Sequence, residues 1–393
     1  MANNNRQNRL VRFFPDWPIF RRLASRTKIK SVTKNSLPED LVGRGEAGDL
    51  KAAVDACREK FPGAFERLNV EIDSLFQNMP AYRGCDPDHL ENVRRDMQFC
   101  HFAYGFTPGE YFAFRLEQKP AEQRREFISS RLRMVYRCRM NDILQADRYN
   151  DKAKTYALFK PYYRREAVVI ETPKDYPAFE AFVDAHPVFV KKAVFEAQGN
   201  SVELVDIGKW NDRRQLFDKL IAVGKHILEE RIVQSPQMAV FNESSVNTVR
   251  AITFNTRNGI VVPYCIVRTG APGAFVDNAG AGGVEARIDF DTGEIVTDGY
   301  DEMGGVFANH PASRTPMKGH RLPDWDQLKA LVNELPRKTP MIKFIGWDLA
   351  HTRNGWVVVE GNENCFIVAQ QMIQDRGMRS VFEDIMKDMD LII

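Results

Sequence analysis

The chain has 393 residues, of which 44% are hydrophobic and 27% are charged. These values are ordinary for a folded protein and allow two or three domains with a substantial core. The net charge of +2 gives no indication of a nucleic-acid partner. No apolar run approaches the ~20 residues that span a bilayer, and no signal-peptide core begins the chain. The six cysteines form no CxxC pair, which argues against a zinc knuckle or a disulfide framework. We therefore expect a cytoplasmic protein.

The positive charge is concentrated at the N-terminus. Residues 1–34 contain nine Lys and Arg residues and one acid, Asp16, so the rest of the chain is net negative. Large apolar residues are interleaved with these cations: Phe13, Phe14, Trp17, Ile19 and Phe20. Two interpretations are open for this basic aromatic segment (1–40). It contacts an anionic surface at the inner face of the membrane, at roughly 1 kcal/mol per basic residue, or it packs on the protein body.

The pattern of apolar residues changes near residue 145. Apolar spacing of three and four residues predicts helices over 49–60, 64–78 and 87–103. Beyond residue 165 the chain predicts a mixture of strands and helices, with helices over 175–185, 215–221 and 327–335. The predicted strands cover 167–171, 188–195, 226–233, 246–255, 260–270, 283–291 and 294–300. Asp324 is expected to be the N-cap of the last helix. The sequence therefore predicts an α+β protein with a helical N-terminal domain over 41–145.

Residues 345–364 form the most informative stretch. Two apolar runs flank Arg353-Asn354-Gly355, and an Asn-Gly pair in that setting is a strong hairpin signal. Glu360 and Asn362 are two residues apart, so they share one face of an extended strand, and the hairpin can bring Asp348 to them. Three converging oxygen-bearing side chains suit Mg²⁺. The alternative is an ordinary surface hairpin with polar tips.

Seven motifs occur in an order that resembles one known family. They are NDKAK (150–154), FVKKAVFEAQGNSV (189–202), ILEERIVQSP (227–236), SVNTVRAITF (245–254), VDNAGAGGV (276–284), HPASRTPMKGHRLPDW (310–325) and IGWDLAHTRNGWVVVEGN (345–362). The chain resembles the ATP-grasp superfamily and, within it, the sugar-transfer-associated ATP-grasp family. The resemblance implies two lobes with the nucleotide between two mixed or antiparallel sheets, a small lobe over 146–230 and a large lobe over 231–393.

The resemblance also implies which residues hold MgATP. Lys152 and Lys191 match the two lysines that face the phosphates, although strand alternation leaves Lys192 as the alternative to Lys191. Gly199 would belong to the flexible flap over the phosphates. Three residues match the hinge that reads adenine and ribose: Glu229, Glu230 and Ile232. Asp348, Glu360 and Asn362 match the Mg²⁺ ligands.

Three further residues are expected at the reacting groups. Arg250 lies in the middle of a strand, where a guanidinium group is costly unless it meets an anion, and it matches the clamp on the transferred phosphoryl group. Arg268 could bind the substrate carboxylate or form a structural ion pair. His310 begins a Pro-punctuated segment expected over the acceptor site, where it would serve acid–base chemistry; a structural cover is the alternative. Asp277, Asn278 and the glycines at 280, 282 and 283 form a loop that a substrate could approach closely.

The implied activity is that of a carboxylate–amine ligase that forms ADP. Its substrates would be a small-molecule carboxylate and an amine, such as an amino acid or amino sugar, in surface-polysaccharide biosynthesis alongside other glycan-biosynthesis proteins. A kinase that phosphorylates a hydroxyl group and a non-catalytic nucleotide-binding module are the alternatives. Most ATP-grasp enzymes begin with an α/β domain, whereas residues 40–145 predict helices here, so the acceptor pocket is expected to differ.

Overall fold

The computed structural model describes residues 18–195, 202–275, 277 and 282–391. Contacts divide the chain into two compact units. The first contains the residues up to 144 together with 256–258 and 366–393, and the second contains 145–255 and 259–365. The first 17 residues of the basic aromatic segment and the predicted flap glycine, Gly199, lie outside the described residues, as do Asn278 and Gly280.

The first unit is helical where it is described. Polar side chains cap several of its helices: Asp49 and Asp86 accept N-terminal backbone N–H groups, and Thr107 and Glu110 form a reciprocal capping box. No described helix is both long and apolar enough to cross a membrane. The helices are α1 Pro18–Thr33, α2 Glu39–Glu46, α3 Leu50–Lys60, α4 Pro62–Asn78, α5 Pro87–Tyr104, α6 Pro108–Ala113, α7 Ala121–Glu126, α8 Ser130–Met140 and α9 Ile143–Asn150, of which α9 runs into the second unit.

The C-terminal helices belong to the first unit. They are α15 Val368–Gln374 and α16 Arg379–Asp388. The side-chain amide of Gln371 donates to the carbonyl oxygen of Ile128 at 3.0 Å and accepts from its N–H at 2.8 Å, which ties α15 to the start of α8. Residues 366–393 are predicted in the large lobe, whereas contacts group them with the helices of the first unit.

The second unit contains, among its described residues, a four-stranded and a seven-stranded antiparallel sheet. The smaller has the order β1-β4-β2-β3 and the larger β11-β10-β5-β6-β7-β8-β9. The helices of this unit are α10 Lys152–Tyr163, α11 Tyr176–Ala185, α12 Arg213–Val223, α13 Pro236–Ala239 and α14 Trp325–Glu334. The strands are β1 Ala167–Ile170, β2 Val188–Ala193, β3 Glu203–Asp206, β4 His226–Glu230, β5 Thr248–Thr256, β6 Gly259–Thr269, β7 Val284–Ile288, β8 Gly299–Tyr300, β9 Val306–Phe307, β10 Phe344–Thr352 and β11 Gly355–Asn362.

Each sheet has one apolar face. On the small sheet, Phe189 and Leu228 pack with Phe179 of α11 and Phe217 of α12. On the large sheet, apolar side chains from β5, β6, β7, β10 and β11 form a core with α10 and α14. The predicted α+β class is confirmed.

The predicted hairpin at 353–355 is confirmed, the predicted N-cap residue is in position without a capping hydrogen bond, and one predicted strand is shorter than expected. Thr352 pairs with Gly355, whose φ of +90° lies in the left-handed region that favours glycine. Asp324 precedes α14, but its side chain does not cap the helix, because its carboxylate contacts Nε2 of His351 at 2.9 Å. Residues 299–300 of the strand predicted over 294–300 form β8, and Glu294 and Ile295 form isolated bridges.

A β-bulge in β11 decides which side chains face which way. Asp348 pairs with Glu360, whereas the next residue, Leu349, pairs with Val358, so Val359 is the extra residue. Without the bulge, Val358 and Glu360 would share a face. With it, Val358 lies in the apolar core and Glu360 lies opposite Asp348.

The buried Arg165 supports this bulge and links it to the small sheet. Its guanidinium group donates to the carbonyl oxygens of Val358 at 2.6 Å and Val359 at 3.2 Å. The same group donates twice to Oε2 of Glu229, at 2.9 and 2.6 Å. Lys192 adds a third contact to that oxygen at 2.9 Å. Burial raises the pKa of Glu229, but Arg165 and Lys192 outweigh this effect and lower it to about 2.

We expect Glu229→Gln to reduce the loss of stability in acid. Because the folded-state pKa of Glu229 lies below its ordinary value of 4.5, its contribution is complete above pH 4.5 and disappears as the pH falls to about 2. This contribution is on the order of 3 kcal/mol. Urea unfolding between pH 6 and pH 2.5 should therefore show a larger loss in the wild type than in Glu229→Gln.

Glu230→Gln is the matched control, because this neighbouring side chain accepts a backbone N–H from Glu166 at 3.1 Å and has no ion pair among the described residues. It should keep the wild-type pH dependence. Equal acid sensitivity of Glu229→Gln and the wild type would show that the Arg165–Glu229–Lys192 cluster does not stabilise the fold.

Candidate active site

Strand alternation places charged residues on one face of the large sheet. Val249 and Ala251 point into the apolar core on either side of Arg250, and Val284 and Ala286 do the same around Glu285. Val267 precedes Arg268, and Trp347 and Leu349 flank Asp348 in the same way. Each strand of this region therefore carries apolar residues on the core face and a charged residue on the opposite face. Four side chains share that charged face: Arg250, Arg268, Glu285 and Asp348.

Arg250 and Asp348 form the closest pair on this face. They are register partners on β5 and β10. Arg250 Nε donates to Asp348 Oδ1 at 2.7 Å, and Nη2 donates to Oδ2 at 2.6 Å. Burial opposes ionisation of Asp348, but Arg250 and Arg268 outweigh it and hold the pKa of this carboxyl group below its ordinary value. The pair is therefore ionised, and it fixes the guanidinium plane across the site.

The three predicted metal ligands come together. Asp348 is paired with Glu360 in the sheet, and the Asn362 amide donates to Asp348 Oδ2 at 3.3 Å and to Glu360 Oε1 at 3.0 Å. No group of three or more His, Cys, Asp and Glu side chains in the described part of the chain is arranged around a metal position. Two carboxylates and one amide oxygen nevertheless fit Mg²⁺, which takes few protein ligands and completes its shell with water and phosphate oxygens.

Arg268 lies between Asp348 and two further carboxylates. Its Nη1 donates to Asp348 Oδ2 at 3.3 Å. Nη2 lies 3.8 Å from Asp277 Oδ1, and Nε lies 3.4 Å from Glu285 Oε1. Thr248 donates a hydrogen bond to the other oxygen of Asp277. The structure thus places Arg268 at the predicted site, together with two carboxylates, Asp277 and Glu285. Of these two, only Asp277 is singled out from the sequence.

The small sheet separates the two adjacent lysines. Lys191 pairs with Leu228 and extends on the helix-covered face, where its Nζ lies 2.9 Å from Glu203. Lys192 points to the opposite face and reaches the buried Glu229. Lys191 is the lysine expected at the phosphates from the sequence. The geometry instead favours Lys192, because the helices cover the face that carries Lys191.

Two of the other predicted nucleotide residues, Lys152 and Glu229, lie near Lys192. Lys152 Nζ donates to the carbonyl oxygen of Ala193, at the end of β2, at 3.2 Å. Glu229 is buried in its cluster with Arg165 and Lys192, and the half-buried Ile232 follows the end of β4. Arg165 is a further residue that sequence reasoning missed. Its neighbour Arg164 is also an arginine, and nothing local distinguishes the one that becomes buried.

His310 lies in the core of the second unit with 0% exposure. Its Nε2 contacts Oγ1 of Thr269 at 3.0 Å, and its Nδ1 accepts from the backbone N–H of Ala312 at 3.3 Å. Burial also lowers the pKa of His310. Both ring nitrogens therefore have internal partners. This geometry favours the structural alternative, and a role for His310 in acid–base chemistry stays a prediction.

The chain is similar to one known protein family and to several solved structures. The model of the family described as sugar-transfer associated ATP-grasp matches residues 132–387. No curated protein matches the sequence. Similar solved structures include the ATP-grasp ligase PsnB complexed with minimal precursor, with 9% identity, a TM-score of 0.39, and coverage of 66% of this chain and 69% of that one. Another is N5-carboxyaminoimidazole synthetase from Staphylococcus aureus complexed with ADP, with 13% identity, a TM-score of 0.40, and coverage of 65% and 58%.

A third is the D-alanine-D-alanine ligase from Helicobacter pylori, with 11% identity, a TM-score of 0.36, and coverage of 62% of this chain and 58% of that one. The chain thus spans less than two thirds of the last two proteins, and similarities at this level say nothing about its activity. The family match covers more than half of the chain and confirms the resemblance seen in the motifs. The chain belongs to the sugar-transfer associated ATP-grasp family.

Proposed function

We propose that the second unit is an ADP-forming ligase that activates a carboxylate with ATP and couples it to an amine. The observation that carries this proposal is the charged face of the large sheet. There two arginines lie among the carboxylates and the amide that suit Mg²⁺. Phosphoryl transfer depends on such positioned charges, because the protein contributes mainly orientation and electrostatic stabilisation.

The nucleotide would be held by residues of both sheets. Lys192 and Lys152 would contact the phosphates, and the chain around Glu230 and Ile232 would meet the adenine edge. Asp348, Glu360 and Asn362 would hold Mg²⁺, which when bound neutralises phosphate charge during transfer. These assignments follow the face on which Lys192 lies and the convergence of the three oxygen-bearing side chains.

The reaction then has two steps. A substrate carboxylate oxygen attacks the γ-phosphorus of ATP, the bond to the β-phosphate oxygen breaks, and ADP leaves with that electron pair. The amine nitrogen next attacks the acylphosphate carbon, and phosphate leaves with the electrons of the broken C–O bond. An ammonium ion starts with three N–H protons, of which one stays on the amide, one is carried by the phosphate and one is released.

Arg250 is suited to stabilise the phosphoryl group in the first step. Its Nε and Nη2 are held by Asp348, while its Nη1 has no hydrogen bond among the described residues. A guanidinium fixed on one side in this way can donate to an anion with little loss of side-chain entropy.

Family membership supports a setting in surface-polysaccharide biosynthesis, in the cytoplasm where MgATP is supplied.

We expect Lys192→Met to weaken MgATP binding and Lys191→Met to leave it within about twofold. A lost charge-assisted contact to phosphate costs about 1.5–3 kcal/mol, or roughly tenfold or more in affinity. Isothermal titration calorimetry measures the MgATP affinity of both variants. Circular dichroism checks that Lys192→Met still folds, because Arg165 is then the remaining ion-pair partner of Glu229 among the described residues. A larger loss in Lys191→Met than in Lys192→Met would return the assignment to Lys191.

We expect Asp348→Asn to abolish trapping of the activated acid. The wild type, with Mg²⁺, ATP, pooled amino acids and sugar acids, and hydroxylamine, should release ADP and form hydroxamate. Hydroxamate formation by the variant should fall by about 10²-fold or more, because Arg250 and Arg268 lose their shared carboxylate and the metal loses a ligand.

Asp326→Asn is the matched control, because this side chain is 94% exposed and pairs only with Lys329 among the described residues. It should keep wild-type activity. ADP release without hydroxamate in the wild type would contradict the ligase and favour a kinase. Nucleotide binding without ADP release would instead favour a non-catalytic module.

A further inference from the structure

Two carboxylates face Arg268 on the side not used by Asp348. Arg268 turns Nη1 to Asp348, while Nη2 and Nε are turned to Asp277 and Glu285. Glu285 lies on β7 directly opposite Arg268 on β6. The side chains are buried, with 15% exposure for Asp277 and 9% for Glu285. Neither carboxylate belongs to the set expected to hold Mg²⁺.

The Glu285 carboxylate lacks hydrogen-bond donors. Its 3.4 Å contact with Arg268 Nε is an ion pair without a hydrogen bond, and that buried nitrogen has no acceptor in the described residues. No described group donates to either oxygen of Glu285, although a carboxylate can accept about four hydrogen bonds. Burial raises the pKa of Glu285, because Arg268 and Arg250 offset only part of that cost. Both Glu285 oxygens are therefore available to accept hydrogen bonds from a bound molecule.

The charges at this end of the site specify the kind of donor. Asp277 and Glu285 carry two negative charges against the single positive charge of Arg268, and Glu302 is close enough to raise the pKa of Glu285 further. Negative charge is therefore in excess at this end of the site, apart from the Arg250–Asp348 pair. A primary ammonium group supplies one positive charge and three N–H donors. A divalent ion is less suited, because the described residues hold no group of three or more His, Cys, Asp and Glu side chains arranged around a metal position.

We propose that Glu285 and Asp277 bind the primary ammonium group of the acceptor substrate. This inference rests on the proposed ligase function and names its second substrate as a cationic amine. The site lies beside Arg268, which separates it from the metal residues. Arg268 therefore lies between the bound ammonium group and the metal residues, and the ammonium group is close to the carboxylate that is being activated. A neutral alcohol could not replace the ammonium charge, so Glu285 selects amines over hydroxyl acceptors.

The direct test is binding of ¹³C-methylammonium chloride, followed by NMR line broadening in the presence of MgADP. The wild type should bind methylammonium more tightly than tetramethylammonium, which has the same charge but no N–H donor. Glu285→Gln should weaken methylammonium binding by about tenfold, the effect of losing one charge-assisted hydrogen bond. Asp277→Asn should weaken it as well, and it provides a second variant if Glu285→Gln does not fold.

Glu294→Gln is the matched control, because its carboxylate pairs with the exposed Arg321 and not with Arg268. It should bind methylammonium like the wild type. Three results would each overturn the proposal: no methylammonium binding to the wild type, binding to a folded Glu285→Gln within twofold of the wild type, or equal affinity for tetramethylammonium. The assay involves no turnover, so its outcome is separate from that of hydroxylamine trapping, which tests the ligase chemistry.

Discussion

The bidentate contact between Arg250 and Asp348 is the constraint on which the site depends. Both groups are buried, and removing one partner of such a pair costs about 3–5 kcal/mol because the other charge is left uncompensated. The contact exists because β5 and β10 pair with these two residues opposite each other. A slip of one residue would move either side chain into the apolar core. The sheet register and the arrangement of charges therefore enforce each other.

Much of this face follows from the sequence, because alternation is a local property. Valine and alanine flank Arg250, tryptophan and leucine flank Asp348, and Glu360 lies two residues from Asn362. These patterns predict which residues leave the core without any knowledge of their partners. The Asn-Gly turn then brings the two strands of the hairpin together. Period and turn chemistry predict the hairpin and the shared face of Glu360 and Asn362, but the bulge that brings Glu360 opposite Asp348 is not visible in the sequence.

The expectations from which the structure departs concern residues whose role is set by a distant partner. Lys191 and Lys192 are chemically identical in sequence, and only the helices packed on one face of the small sheet distinguish them. Asp324 has the position of a helix cap, yet His351 takes its carboxylate. Glu285 was not identified because a single glutamate in a short strand resembles a solvent-facing residue. Its burial beside Arg268 depends on how β6 and β7 pair.

The bulge at Val359 shows how the two sheets become one site. Glu360 can face Asp348 only if β11 carries an extra residue, and that residue leaves backbone carbonyls outside the regular ladder. Arg165 compensates by donating hydrogen bonds to the carbonyl oxygens of Val358 and Val359. The same guanidinium group donates to Glu229, which also accepts from Lys192. The position of Glu360 is therefore coupled to that of Lys192 through one buried side chain. In the proposed reaction the metal and the phosphates have to be positioned relative to each other, and one buried ion cluster can fix both groups of residues together.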